Sequence, residues 1–141
     1  MCGFVGFTAV DFDEGVNRAI VKDMADRIIH RGPDDEGFFV NDDVAMGFRR
    51  LSIIDLQGGA QPMYNEDGSM VVIFNGEIYN FQELKAQLEE KGHVFATRSD
   101  TEVLLHGYEE WGKSLLQRLR GMFTFALWDK NGDEEYWLTA Y

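Results

Sequence analysis

Five consecutive apolar residues, Met70-Val71-Val72-Ile73-Phe74, constrain the fold of this chain more than any other stretch. A run of β-branched and aromatic side chains this short is the pattern of a strand covered on both faces, and it marks a central strand. The run leads directly into Asn75-Gly76-Glu77-Ile78-Tyr79-Asn80. Asparagine and glycine at a strand end commonly make a turn. A chemical reading stands beside that one. A side-chain amide next to a backbone N–H forms an oxyanion hole where glycine admits close approach.

Other segments fall into elements around this strand. Residues 3–9, 38–40, 44–48, 51–54, 93–97 and 122–128 read as strands, with Asn41-Asp42-Asp43 as the turn between the second and third. Residues 13–29 read as a helix capped by Asp13, with Val16, Ile20, Met24 and Ile28 as its apolar stripe. Asn80 with Glu83 and Ser99 with Glu102 match the capping box and open two more helices. Gly92 ends the first of these, and residues 115–119 make a short amphipathic helix. Lys130-Asn131-Gly132-Asp133 signals a hairpin whose return strand is 136–138. The chain stops within that hairpin, which reads as a C-terminal truncation. The total is about eight strands and three or four helices. With 45% apolar and 13% aromatic residues in 141, this is one globular domain.

Composition excludes several classes of function. A net charge of −12 repels a phosphate backbone and argues against nucleic-acid binding. No apolar run approaches the ~18 residues of a membrane span, and no secretory signal precedes the first strand. A single cysteine forbids an internal disulfide and suits the cytoplasm.

That cysteine, Cys2, becomes N-terminal once Met1 is removed. It then carries a nucleophilic thiol and an α-amine with an ordinary pKa of about 7.7–8.0, a base near neutral pH. A lone cysteine is otherwise a small hydrophobe. Arg49 and Arg50 abut the short strand from Leu51, and an arginine beside a nucleophile offers a planar fork to a carboxylate. Asp100 falls in a helix first turn, where the dipole alone explains a carboxylate, but where it also suits a substrate ammonium. The loop from Arg31 to Gly37 reads as a solvated connection. His30, His93 and His106 show no ligand spacing with Cys2, so no metal is expected.

Taken together, MCGFVGF at the start, HRGPDDEGFF at 30–39, GFRRLSIIDL at 47–56 and GAQPM at 59–63 resemble one family. The match continues through FNGEIYNFQELKAQLEEKGHVFATRSDTEVLLHGYEEWG at 74–112 and LRGMFTFALWD at 119–129. The family is the glutaminase domain of asparagine synthetases, a class II glutamine amidotransferase of the N-terminal-nucleophile hydrolases. The resemblance implies an α+β fold, a four-layer αββα sandwich of two antiparallel sheets between helices. It implies Cys2 as nucleophile, its own amine as base, and the Asn75 side chain with the Gly76 amide as oxyanion hole. It implies Arg50 on the glutamine carboxylate and Asp100, helped by Glu77, on the ammonium. Leu51, Ser52, Ile53 and Ile54 would line the pocket.

The implied partners are L-glutamine and a C-terminal synthetase domain that is absent here, with a homodimer among the states allowed. No cofactor is implied in this domain; ATP and Mg²⁺ belong to the synthetase domain. The expected activity is glutamine hydrolysis through a cysteinyl thioester, with ammonia supplied for asparagine synthesis, once Met1 is gone. Two alternatives remain at this point: a catalytically silent glutamine-binding or docking module, and the amidotransferase domain of a related tailoring enzyme.

Overall fold

The computed structural model describes residues 2–8, 13–51 and 59–132. They belong to two compact units, Met1–Pro62 and Met63–Tyr141. In each unit helices pack on an antiparallel sheet, so the chain is α+β with two antiparallel sheets. Among the described residues there are six strands and three α-helices. No described helix is long and apolar enough to cross a membrane.

In the first unit, β1 (Gly3–Thr8), α1 (Glu14–Arg27), β2 (Asp35–Val40) and β3 (Val44–Arg50) follow one another. A 3-10 turn over Ile29–Arg31 succeeds the helix. The sheet order is β1-β3-β2. β1 aligns Gly3 with Arg49, and β2 aligns Asp35 with Arg50. The strand leading from Cys2 is therefore an edge strand among the described residues. β3 takes the centre, and every residue from Val44 to Arg49 is buried. Asn41 makes the β2–β3 turn, its Oδ1 accepting from the amides of Asp43 (2.9 Å) and Val44 (2.8 Å).

Helix α1 starts as predicted, with Asp13 Oδ1 accepting from the Val16 amide at 3.1 Å. Its buried face is not the predicted one. Val16 and Ile20 are 55% and 44% exposed, while Asn17, Val21 and Ala25 face inward. The cause lies at Asn17, whose Nδ2 donates to the Asp13 carbonyl at 2.8 Å. A buried amide satisfied within its own turn costs little, and Val21 and Ala25 on the same face pack with β3.

The loop expected to be a solvated connection instead presses on β3. A Cβ at Gly32 would overlap the Arg49 carbonyl carbon and lie 2.5 Å from the Arg50 nitrogen. Only glycine permits that approach. Gly32→Ala is expected to destabilise the chain by about 2–3 kcal/mol, read as a lower denaturant midpoint with an unchanged slope. An unchanged midpoint would contradict the packing.

The second unit holds β4 (Met63–Tyr64), β5 (Met70–Ile78), α2 (Phe81–Glu90), α3 (Glu102–Trp111), a 3-10 segment Gly112–Gln117, and β6 (Gly121–Asp129). β5 lies between β4 and β6, so the central strand stands where the apolar run placed it. Met70, Val72 and Phe74 pack with Leu84 and Leu88 of α2 and Val103, Leu104 and Leu105 of α3. Each such side chain contributes about 1.5–3 kcal/mol through burial.

Several local expectations differ. β5 does not stop at Phe74 but pairs with β6 as far as Ile78, opposite Gly121. Residues 93–97 form no strand. The Ala96 and Thr97 amides each donate to the Glu102 carboxylate at 2.7 Å, which replaces a neighbouring strand as their partner. That use of Glu102 also displaces the second capping box. The Asn80 box is absent too, because Asn80 accepts from the Arg120 amide and donates to the Arg118 carbonyl, both at 2.9 Å. The predicted helix at 115–119 is the 3-10 segment. The expected strands at 51–54 and 136–138 lie, but for Leu51, outside the described residues.

Candidate functional site

Cys2 immediately precedes β1, half-buried. Its Sγ receives the Leu51 N–H at 3.4 Å and lies 3.8 Å from the Leu51 carbonyl oxygen. Antiparallel pairing of Gly3 with Arg49 brings the start of β1 to the end of β3. The thiol is thus fixed between two backbone groups one residue beyond Arg50.

The two neighbouring arginines separate by strand alternation. Arg49 points into the unit and is 5% exposed. It pairs with Asp26, with Glu36 Oε2 at 2.8 Å and with the Ala25 carbonyl at 3.1 Å. It is a structural cation tying α1, β2 and β3 together. Arg50 points the other way, and its Nη2 would stand 3.0 Å from a Cβ at Gly59. It is the arginine that the resemblance assigns to the glutamine carboxylate. Asp34 donates its amide to the Arg50 carbonyl at 3.0 Å, which fixes the backbone there. Ser52, Ile53 and Ile54, expected to line the pocket, lie outside the described residues; Leu51 is half-buried beside the thiol.

Sequence reasoning missed Arg31. Its Nη2 donates to the Cys2 carbonyl at 3.5 Å, and its Nε is buried with no hydrogen-bond partner among the described residues. The signal was present in the Arg-Gly-Pro run, since Gly32 is what lets Arg31 lie along the end of β3.

In the second unit Asn75, Gly76 and Glu77 are the last paired residues of β5 before Ile78. Gly76 has φ +144°, and a Cβ there would overlap the Met122 carbonyl oxygen and lie 2.5 Å from Phe123 Cα. Asp100 joins them, its Oδ2 accepting from the Ile78 amide at 2.9 Å. It precedes α3, rather than lying in the helix's first turn. Burial pushes its carboxyl above the ordinary range. The Ile78 N–H opposes that shift and the nearby Glu77 charge adds to it. The amide pair and the two carboxylates assigned to substrate therefore share the end of one strand.

A half-buried acid of raised pKa beside an exposed acid is a cation-binding arrangement whose desolvation a ligand ammonium offsets. A thiol held by backbone beside an arginine suits attack on a carbonyl whose carrier has a carboxylate.

A family model described as a glutamine amidotransferase domain matches residues 1–138. The chain is 49% identical to the glutamine-hydrolysing asparagine synthetase 1 of Bacillus subtilis, over 93% of this chain and 21% of that one. It is 49% identical to asparagine synthetase 2 of the same organism, over 96% of this chain and 18% of that one. It is 45% identical to the asparagine synthetase of Zea mays, over 92% and 22%. The chain thus spans about a fifth of the length of these relatives. Among solved structures, glutamine phosphoribosylpyrophosphate amidotransferase from B. subtilis, complexed with ADP and GMP, matches with a TM-score of 0.52 and 27% identity. That match covers 64% of this chain and 22% of that one. The allosteric regulatory enzyme of purine biosynthesis matches with a TM-score of 0.51 and 31% identity, over the same shares.

Proposed function

The chain belongs to the glutamine amidotransferase domain family, and on that premise we propose that it hydrolyses L-glutamine to glutamate and ammonia. The observation that carries the reading is the Cys2 thiol held by the Leu51 backbone next to Arg50. In this reading the α-amine of Cys2, freed by loss of Met1, takes the thiol proton. The thiolate attacks the side-chain amide carbon of glutamine, and the oxyanion is received by Asn75 Nδ2 and the Gly76 amide. The amine returns the proton to the departing nitrogen, and ammonia leaves a γ-glutamyl thioester on Cys2. Water, deprotonated by the same amine, releases glutamate and restores the thiol.

Arg50 binds the α-carboxylate and Asp100, with Glu77, binds the α-ammonium, so a bare amide forgoes both contacts and is bound less well. The hydrolysis itself uses no cofactor. The ammonia passes to a synthetase domain outside this chain, which uses ATP and Mg²⁺ to make asparagine from aspartate in the cytoplasm.

The test is glutamate and ammonia release in equal amounts from glutamine by protein shown by intact mass to lack Met1. A folded, Met1-free protein that releases neither would overturn the proposal. Asn75→Ala is expected to lower kcat about 10²–10³-fold with a smaller change in KM, because one oxyanion donor is lost.

A third expected result concerns pH. The folded carboxyl of Asp100 titrates above its unfolded value, so the native state binds more protons in that window. Asp100 thus weakens the fold increasingly as pH rises from the ordinary carboxylate range through the raised value. Asp100→Asn removes that dependence. Its stability relative to the parent should increase over that window and then level off, read by thermal melts. The same substitution should raise KM for glutamine, because the ammonium loses its charged partner.

A further inference from the structure

Two histidines that share no sequence motif meet in the second unit. Gly92, at φ +97°, closes α2 with hydrogen bonds from its own amide to the Glu89 carbonyl and from the His93 amide to the Leu88 carbonyl. This turn fixes the backbone of His93. His106 lies in the middle of α3 and is 2% exposed. The two Nδ1 atoms stand 3.2 Å apart.

The other ring nitrogens are already engaged. His93 Nε2 faces Glu110 Oε2 at 3.1 Å, and His106 Nε2 faces Glu102 Oε1 at 3.3 Å. A neutral imidazole facing a carboxylate carries its proton on that side. Both Nδ1 atoms then present lone pairs to one another. Glu109 Oε2 lies 3.5 Å from each of them. Its second oxygen is held by Asn65 Nδ2 at 3.0 Å, which directs Oε2 at the pair. Glu66 also approaches His106 Nε2, at 3.6 Å. Four carboxylates (Glu66, Glu102, Glu109 and Glu110) thus surround the two rings, and Lys91, on Glu110 at 3.1 Å, is the cation paired among them.

Three lone pairs converging on one point need a positive charge between them. A single proton can serve the two Nδ1 atoms at 3.2 Å; one ion at the centre of the near-equilateral triangle of 3.2, 3.5 and 3.5 Å serves all three. A tetrahedral ion with ligands at ~2.0–2.1 Å sets them ~3.3 Å apart. Ligating histidines also commonly give their remaining N–H to a carboxylate, as Glu110 and Glu102 provide here. We infer that His93, His106 and Glu109 form a binding site for a divalent transition-metal ion of the Zn²⁺ type, clipping the segment after α2 to α3.

The inference stands apart from glutamine hydrolysis, and its test reads metal uptake. The full chain, freed of metal by chelator, is titrated with Zn²⁺ by calorimetry and with Co²⁺ by absorption. The expected result is one equivalent of each, with Co²⁺ d–d bands and no thiolate charge-transfer band, and a rise in melting temperature with Zn²⁺. His93→Gln and Glu109→Gln, both at the accessible edge of the cluster, should each weaken Zn²⁺ at least about tenfold, as should Glu110→Gln through the ring it orients. His30→Gln should change nothing. His106→Gln risks the packing of α3, so a circular dichroism spectrum accompanies every variant. No uptake by folded parent protein overturns the site. So does uptake that survives His93→Gln and Glu109→Gln, or a Co²⁺ spectrum dominated by thiolate.

Discussion

Replacing Cys2 with alanine is expected to reduce glutamate release by about 10⁴–10⁶-fold, the scale on which removal of an enzyme nucleophile is felt. The thiol is the group that makes and breaks bonds in the proposed cycle, and its amine serves both the attack and the departure of ammonia. Alanine keeps the amine and the backbone of β1, so folding should be unaffected; the Leu51 amide merely loses a sulfur partner at 3.4 Å. Melting temperature therefore should stay within a few degrees while turnover vanishes. A protein retaining Met1 supplies the complementary result. It keeps the thiol but replaces the amine with an amide nitrogen that cannot take a proton, so turnover should be lost with glutamine affinity retained. Glutamate released by Cys2→Ala as fast as by the parent would remove Cys2 from the mechanism. Equal turnover with Met1 present would instead remove the amine as base.

What was legible in the sequence follows a physical division. The run from Met70 to Phe74 identified the middle strand because burial on both faces leaves an unbroken apolar signature. The β2–β3 turn was legible because Asn41 closes it within three residues. The errors arose where a local signal was overruled by a distant partner. Ser99-Asp100-Thr101-Glu102 has the letters of a capping box, but Glu102 turns back to Ala96 and Thr97. Asn80 likewise spends its amide on residues 118–120, 38 and 40 positions away.

The site divides in the same way. Cys2, Arg50, Asn75-Gly76 and Asp100 are assigned by resemblance. Two findings were not legible without coordinates: that Arg49 is a buried structural cation while Arg50 is directed elsewhere, and that Arg31 reaches the Cys2 carbonyl. Adjacent arginines look alike in a sequence, and only strand pairing says which one faces inward. His93 and His106 were weighed only for ligand spacing with Cys2, and the thirteen positions between them hide their contact.

Gly76 is where the fold and the proposed chemistry constrain the same residue, and Gly76→Ala is expected to be strongly destabilising. Two costs combine there. At φ +144° a side chain is strained wherever it sits, by about 1–3 kcal/mol. In addition the new Cβ meets the Met122 carbonyl and lies 2.5 Å from Phe123 Cα, both backbone and unable to rotate away. Overpacking of this kind costs about 1–3 kcal/mol more. The sum, roughly 2–6 kcal/mol, should lower the melting temperature by roughly 10–20 °C in a chain this size. Gly68→Ala separates the two costs. Gly68 also has positive φ, +71°, but nothing lies within 4 Å of its would-be Cβ, so only the strain applies, about 1 kcal/mol. The difference between the two variants reads the close approach of β5 to β6 together with the greater strain at φ +144°. Because β6 is the strand that holds Asn75 opposite Thr124, relief of the clash must spread β5 from β6 and move the proposed oxyanion donors. Residual Gly76→Ala protein, assayed well below its melting temperature, should therefore lose kcat beyond the fraction unfolded. If it melts with the parent, the packing of β5 on β6 is wrong. If it melts early but turns over normally per folded molecule, Gly76 serves the sheet and not the oxyanion.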